Sequence, residues 1–430
     1  MCATVSGCSL HISFRNKHPF TPRIYITRKE NMVKALIAHK AGGELQIGEW
    51  EKPVPKGNEI LVKNKVVALN PVDWKQIKYN FAVPQWPFVV GADTAGVVEA
   101  VGPDVKNLKP GDKVFAFAGV LVVGSLNYGT YAEYSLLVEN LSAKVLSFRT
   151  SHITNSAADY GWHFVTRSAS IDRSPRTSPL RRPRPLAWAR SPLPSRSTTF
   201  SSFPARASIS PSSAPNTSSY VYELYIYNIY IIYITPLTQH YSTHTTSLPS
   251  QIWGGSSSTG NYAIQLAKLS GYTVITTASP HQHAYLQELG ADVVIDRSDP
   301  EAVTKIREIT RGRLRYAYDT ISSATADLAA QALDQEHESH LAVIAGAPTG
   351  SYPKVKVHNV VSGVIYREEA NSFGVSFYEE LGELLAAGVL RPNRYEVLPN
   401  GLAGIPEGHA RLAAGKVSGV KLVARIDETP

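Results

Sequence analysis

Seven residues, Gly254-Gly255-Ser256-Ser257-Ser258-Thr259-Gly260, constrain the fold more than any other stretch, because they run directly into the helix-patterned Asn261-Tyr262-Ala263-Ile264-Gln265-Leu266-Ala267-Lys268-Leu269. A glycine-rich turn lets backbone N–H groups approach a pyrophosphate, and the positive end of the helix that follows favours the anion. Gly255, Ser256, Ser257, Ser258, Thr259 and Gly260 are therefore candidate cofactor-binding residues of a dinucleotide cradle, although their spacing departs from the plain G-x-G-x-x-G fingerprint. Tyr272-Thr273-Val274-Ile275-Thr276-Thr277-Ala278 reads as the second strand of a βαβ unit. It ends in Ser279-Pro280-His281, where an NAD site usually places a carboxylate for the ribose 2′-OH. A hydroxyl and an imidazole do not repel a 2′-phosphate, so NADP(H) is the expected cofactor, with Ser279 and His281 beside it. The alternative is that Ser279 and Pro280 merely end a strand.

Downstream the pattern alternates. Helices are expected at Ala284–Leu289, Glu301–Thr310, Ala324–Leu333 and Phe377–Gly388, and strands at Ala291–Asp296, Tyr316–Asp319 and Leu341–Gly346. Such a rhythm implies a parallel sheet covered on both faces, with ligands beyond the carboxyl ends of its strands. Ser279, Arg297 and Ala345, in the turn after Ile344, are the cleft residues on that rule. Asp319 is either a cleft residue or a strand-end cap.

Charge argues against nucleic acid as a partner. The chain has 430 residues and a formal charge of +8, but residues 147–250 hold ten arginines against Asp159, Asp172 and Glu223, and residues 1–31 hold five basic residues against Glu30. The remaining body is mildly acidic. Residues 1–31 have either the composition of an organelle transit peptide or that of an upstream extension outside the fold, and the extension is preferred because Met32 precedes a strand-like run. Residues 147–250 combine an Arg/Ser/Pro-rich part, expected to be disordered, with a Tyr/Ile alternation at Tyr220–Ile234 too short and too polar for a membrane span. No lysine occurs between Lys144 and Lys268. This segment is expected to be largely translated non-coding or frame-shifted sequence, a regulatory insert or anchor being the alternative. The first strand of the α/β unit is doubtful, since only Ile252 and Trp253 are apolar after Pro249-Ser250-Gln251. Cys2 and Cys8 are the only cysteines, which suits a reducing, cytoplasmic location.

From Met32 to Lys144 short strands separated by Gly/Pro turns indicate a mostly antiparallel, barrel-like domain. Asn70-Pro71-Val72-Asp73-Trp74-Lys75, Gly91-Ala92-Asp93-Thr94-Ala95-Gly96, Leu108–Val114 and Gly129-Thr130-Tyr131-Ala132-Glu133-Tyr134, followed by Gly254–Gly260, resemble the medium-chain dehydrogenase/reductase superfamily. The likeness is to its zinc-independent fungal quinone-oxidoreductase and trans-acting enoyl-reductase branch. That resemblance implies an α/β fold in which a GroES-like β-barrel at 32–146 and a Rossmann doubly wound parallel sheet at 251–388 flank the insertion at 147–250. It also implies a segment, 389–430, that returns to the first domain with strands at Tyr395–Leu398 and Gly415–Ala424. A crossover helix that relatives carry before the glycine-rich turn is missing.

The alcohol dehydrogenase pattern wants a cysteine at Asn70 or Pro71 and Gly-His-Glu at Gly91-Ala92-Asp93, so no metal is expected, and His39 is a lone histidine. Without zinc, a conjugated small-molecule acceptor is expected: an enone, a quinone or an enoyl thioester, including an acyl chain on a polyketide synthase. Lys75 is the leading proton donor, with a solvated surface lysine as the alternative; Asn70 and Asp73 are candidates for positioning. Pro71, Trp74, Val417 and Ser418 are expected near the cofactor, and Trp74 and Tyr131 are pocket walls or core aromatics. The alternative function is a catalytically impaired NADPH-binding relative. Relatives of this type are monomers or homodimers.

Overall fold

The computed structural model describes residues 31–119, 126–145 and 248–430, and before them only three short strands, Thr4–Val5 (β1), Cys8–His11 (β2) and Tyr25–Arg28 (β3), which pair with one another. Most of the insertion expected at 147–250 lies outside the described residues, as does the expectation that a crossover helix is missing there. The chain divides into two units, one holding Met1–Val145, Tyr395–Val417 and Lys421–Pro430, the other Leu146–Arg394 and Ser418–Val420.

In the first unit Met32–Ala38 (β4) pairs antiparallel with Leu45–Glu51 (β5) and Phe88–Val89 (β7). A seven-stranded sheet is built on Glu59–Ala68 (β6), Asp93–Val101 (β8), Lys113–Phe117 (β9), Tyr134–Val138 (β10), Ala143–Lys144 (β11), Tyr395–Leu398 (β18) and Lys421–Arg425 (β19). Its order is β11-β9-β8-β6-β19-β18, with β10 also on β6. β6 is buried over most of its length, with register shifts at Leu61/Val62 and Asn64/Val66, and Ile60, Val62 and Val67 have no exposed surface. Asn64 interrupts them, and its polar atoms are all satisfied. Its Nδ2 donates to the Thr130 and Ala132 carbonyls and the Ser135 hydroxyl, and its Oδ1 accepts from Thr94. That fixes the 130–135 segment against the sheet. Among the described residues two α-helices belong to this unit, Pro71–Tyr79 (α1) and Ile405–Ala413 (α7).

The second unit alternates Pro249–Trp253 (β12), Ser258–Leu269 (α2), Thr273–Ala278 (β13), His283–Glu288 (α3), Val293–Asp296 (β14), Ala302–Thr310 (α4), Tyr316–Asp319 (β15), Ser323–Ala332 (α5), Ser339–Val343 (β16), Val355–Asn359 (β17) and Glu368–Ala386 (α6). All six strands pair in parallel in the order β14-β13-β12-β15-β16-β17. Counted from β12 this is 3-2-1-4-5-6, the order of a doubly wound dinucleotide-binding sheet, and the switch point falls between β12 and β15.

The doubt about the first strand is therefore corrected: β12 is a central strand. Pro249 is tolerated because it occupies the first position. Ile252 and Trp253 then alternate into the two apolar clusters on opposite faces of the sheet. Neighbours β13 and β15 supply the rest of the apolar surroundings. One cost persists, since Gln251 is fully buried and neither its Nε2 nor its Oε1 has a partner among the described residues.

An unpaired buried amide costs about 1–3 kcal/mol. Gln251→Met is accordingly expected to raise the midpoint of urea unfolding, and a fall of that midpoint would show that the amide is satisfied after all.

Candidate active site and cofactor cradle

Asn70 follows the end of β6 by two residues and occupies the N-cap position of α1, where Pro71 takes the first helical position and leaves no orphan N–H. The Asn70 amide N–H donates to Asp73 Oδ2 at 2.7 Å. Asn70 Nδ2 donates to Asp93 Oδ2 at 2.9 Å, and Asn70 Oδ1 accepts from the Lys421 ammonium, which also lies 3.2 Å from Asp93 Oδ2. Lys421 comes from β19, so the C-terminal strand supplies the cation of this cluster.

Asp73 is completely buried. Its Oδ2 also accepts from the Tyr131 hydroxyl at 2.6 Å, and its Oδ1 has no partner among the described residues. Burial pushes its carboxyl up to about 7, with the Asp93 charge adding to the rise; the bonds from Tyr131 and Asn70 and the Lys421 charge work in the opposite direction. The Tyr131 hydroxyl also lies 3.2 Å from His409 Nε2 on α7. His409 is nearly buried, and burial lowers its imidazole to about 4. Tyr131 is wholly buried, which with the Asp73 charge drives its phenol well above the ordinary value. The ring fits because Gly91 has φ +97° and no side chain: a Cβ there would lie 2.5 Å from Tyr131 Cδ1.

The structure thus joins Asn70 and Asp73 in one polar cluster, to which it adds Asp93, Tyr131, His409 and Lys421. Tyr131 is a core aromatic whose hydroxyl is engaged. Lys75 is half-buried, its ammonium 5.7 Å from the Trp74 ring. Trp74 lines an open cavity of about 460 Å³ beside α1, and its Nε1 is buried without a partner among the described residues. Pro71 is exposed.

In the other unit the seven-residue turn joins β12 to α2. Ser257 is the N-cap, its Oγ accepting from the Gly260 N–H at 2.9 Å and meeting Thr320 Oγ1 at 2.9 Å. Gly254 and Gly255 donate to the Thr277 hydroxyl and carbonyl. For the amides of Ser256, Ser258 and Thr259 no acceptor is found among the described residues, as the first turn of a helix requires. Gly260 lets the helix touch the turn, because a Cβ would lie 2.3 Å from the Gly254 carbonyl oxygen. Free amides at a tightly packed helix start are what a pyrophosphate needs.

Register pairs Ala278 with Asp296, so Ser279 and Arg297 follow side by side at the carboxyl edges of β13 and β14. Arg297 and His281 are exposed, and Ser279 caps the turn Pro280–Gln282. Ser418 and Gly419 form a turn against Gln282, whose amide a Cβ on Gly419 would meet at 2.2 Å. Val417 is half-buried in the preceding loop, and Ala345 is exposed after β16. Asp319 proves to be a strand-end cap, accepting from the Ile321 and Ser322 amides.

Comparison with known proteins agrees with this architecture. Residues 56–146 match the alcohol dehydrogenase GroES-like domain and residues 259–386 the zinc-binding dehydrogenase family. A zinc-type alcohol dehydrogenase-like protein of Schizosaccharomyces pombe is 30% identical over 92% of this chain and 100% of its own length. A trans-enoyl reductase of Alternaria alternata is 30% identical over 92% of this chain and 99% of its own. The chain belongs to the medium-chain dehydrogenase/reductase superfamily. A mycobacterial protein of the same fold, solved with NADPH, superposes with a TM-score of 0.58 at 20% identity, covering 91% of this chain and 99% of the other. The chain is an oxidoreductase of a class that works with a nicotinamide cofactor.

Zinc, which the second family's description implies, does not fit the donors present. Catalytic zinc needs about three Cys, His or carboxylate ligands on one open site. Among the described residues no group of three or more His, Cys, Asp or Glu is placed to hold an ion. The oxygens of Asn70 and Asp93 already share the Lys421 ammonium, and His409 is turned to Tyr131.

Asp73 and His409 have opposite linkage to stability. The raised carboxyl contributes stability that is complete below about pH 4 and lost as pH rises through about 7. The lowered imidazole contributes stability that is present above about pH 6.5 and lost as pH falls through about 4. Asp73→Asn removes only the first slope. Relative to the unsubstituted protein the variant is expected to gain on the order of 2–3 kcal/mol between about pH 5 and pH 8, read by urea unfolding. Equal differences at the two pH values would contradict a buried carboxyl titrating near neutrality.

Proposed function

We propose that the chain is an NADPH-dependent, zinc-independent reductase of activated carbon–carbon double bonds: an enone, a quinone or an enoyl thioester. The observation that carries this reading is the Lys421 ammonium between Asn70 and Asp93, where the alcohol dehydrogenases' pattern would call for metal ligands. With no Lewis acid to polarise a plain carbonyl, the acceptor must already be conjugated, so that the enolate formed needs only hydrogen bonds or an ammonium. The 30% identical trans-enoyl reductase supports the same class; an acyl chain carried on a polyketide synthase is one acceptor this reading admits.

The Ser256, Ser258 and Thr259 amides would hold the pyrophosphate, with Gly255, Ser257 and Gly260 shaping the turn. Ser279, His281 and Arg297 would hold the 2′-phosphate. The neighbouring Asp296 is held as a carboxylate by the Ser298 amide and hydroxyl, so the Arg297 guanidinium would have to outweigh its charge. Pro71, Trp74, Ala345, Val417 and Ser418 would border the nicotinamide. The bound cofactor supplies the hydride. Lys75 would stabilise the enolate or give it a proton, while Asn70 and Asp73 set the geometry at the start of α1. In this reading residues 32–146 with 389–430 form the catalytic domain and 251–388 the NADP(H) domain, and 1–31 and 147–250 lie outside the enzyme. The impaired-relative alternative keeps the replaced segment before β12 as its ground and loses only the doubt about β12 itself.

Purified protein is expected to oxidise NADPH with a para-quinone or an enoyl thioester, with no loss after a chelator. Lys75→Ala should lower kcat by about 10²-fold with KM for NADPH little changed. Ser279→Asp should raise KM for NADPH about tenfold or more and spare NADH, one factor of ten being about 1.4 kcal/mol. Equal use of the two cofactors by the unsubstituted enzyme, or inactivation on chelation with recovery on zinc, would overturn the reading.

A further inference from the structure

The cavity beside α1 is lined by Leu45, Trp74, Ile77, Lys78 and Ala410, and by His409, the residue that also reaches the buried interior. His409 Nε2 stands 3.2 Å from the Tyr131 hydroxyl, which stands 2.6 Å from Asp73 Oδ2. We propose that His409, Tyr131 and Asp73 form a proton relay between this cavity and the polar cluster at the start of α1.

The hydroxyl has one hydrogen and two flanking acceptors, which permits two arrangements. In one, Tyr131 donates to the Asp73 carboxylate, and His409 Nε2–H donates to the phenol oxygen. In the other, protonated Asp73 donates to the phenol oxygen, Tyr131 donates to His409 Nε2, and the imidazole carries its hydrogen on Nδ1. A proton arriving from the cavity at His409 Nδ1 converts the first into the second. Nε2–H passes to the phenol oxygen, and the phenol hydrogen passes to Asp73 Oδ2. One proton has then moved inward, no electron has moved, and His409 has changed tautomer without a lasting charge.

The surroundings favour this traffic. Asp73 is faced by the Asn70 amide, by Tyr131, by the Asp93 charge from β8 and by Lys421 from β19. His409 is surrounded by apolar wall, with Lys78 and Glu44 as the charged groups of the cavity lining. A carboxyl raised to about 7 can take and release a proton near neutral pH, while an imidazole lowered to about 4 stays neutral and conducts by tautomer exchange. The relay rests on the reductase reading only for the fate of the proton, which the enolate left by hydride addition consumes.

The test needs no turnover. The full chain is labelled with ¹⁵N at histidine, and His409 is assigned by the signal lost in His409→Gln. Between about pH 5.5 and pH 8.5 its two nitrogens are expected to exchange protonated and bare character, with a midpoint near 7 and no imidazolium. The infrared band of a buried carboxylic acid should disappear over the same range and be missing in Asp73→Asn. In that variant, and in Tyr131→Phe, the tautomer should no longer change with pH. Should Tyr131→Phe fail to fold, the unsubstituted protein and Asp73→Asn still decide. A His409 fixed in one tautomer while the carboxyl band titrates, or a carboxyl band that does not titrate, overturns the relay. A working tautomer switch in a protein that reduces no double bond leaves the relay standing and sinks the reductase reading alone.

Discussion

An ammonium shared by an amide oxygen and a carboxylate joins three separate elements of the first unit at the start of α1. Lys421 lies on a strand more than three hundred positions from Asn70 in the chain, and its pairing with Asp93 ties β19 to β8 and to the start of α1. A carboxyl taken wholly out of water favours its neutral form, and a nearby negative charge adds to that preference. Lys421 pairs with the partly exposed Asp93, while Asp73 is wholly buried without an ion pair of its own; that burial, with the Asp93 charge adding to it, raises its carboxyl to about 7. A second buried cation beside Asp73 would remove that property.

Much of this was legible from local patterns, because apolar periodicity and turn residues are local signals. The strands Tyr316–Asp319 and Tyr395–Leu398 occupy the residues their patterns indicate, and the motif Asn70–Lys75 marks the helix whose first turn holds the cluster. Tertiary contributions were not legible. His409 is one histidine in an amphipathic helix, and nothing near it in sequence says that Tyr131 lies 3.2 Å away. Lys421 opens a strand like any surface lysine. The sixth strand, β17, alternates Lys356 and His358 with Val355 and Val357 at the edge of the sheet, a pattern too polar to stand out. The long helix α6 starts well before the apolar run that announced it, at Glu368, through Asn371 and Gly374, whose low helix propensity hides its first turns.

The first strand of the parallel sheet fails the sequence test and passes the structural one for a physical reason. A central strand is held by hydrogen bonds to two neighbours, and β12 has β13 on one side and β15 on the other. Backbone pairing does not depend on side-chain polarity, so two large apolar residues, Ile252 and Trp253, suffice to anchor it in both faces while Ser250 and Gln251 are carried along.

The cradle shows how threonine and serine hydroxyls decide which backbone donors remain for a ligand. Thr277 takes the Gly254 N–H on its hydroxyl, and its carbonyl takes that of Gly255; Ser257 takes that of Gly260. Thr320, at the end of the strand across the switch point, closes the turn by donating to the Trp253 or Gly254 carbonyl while meeting Ser257. Each of these bonds satisfies a group that a phosphate would otherwise have to reach past. The amides left over belong to the serine-rich centre of the turn and the first helical residues, where the helix dipole is strongest. The run of serines therefore does with hydroxyl caps what a stricter glycine spacing does with bare backbone, and despite the departure from the plain fingerprint the unsatisfied amides lie at the carboxyl end of β12, at the start of the following helix.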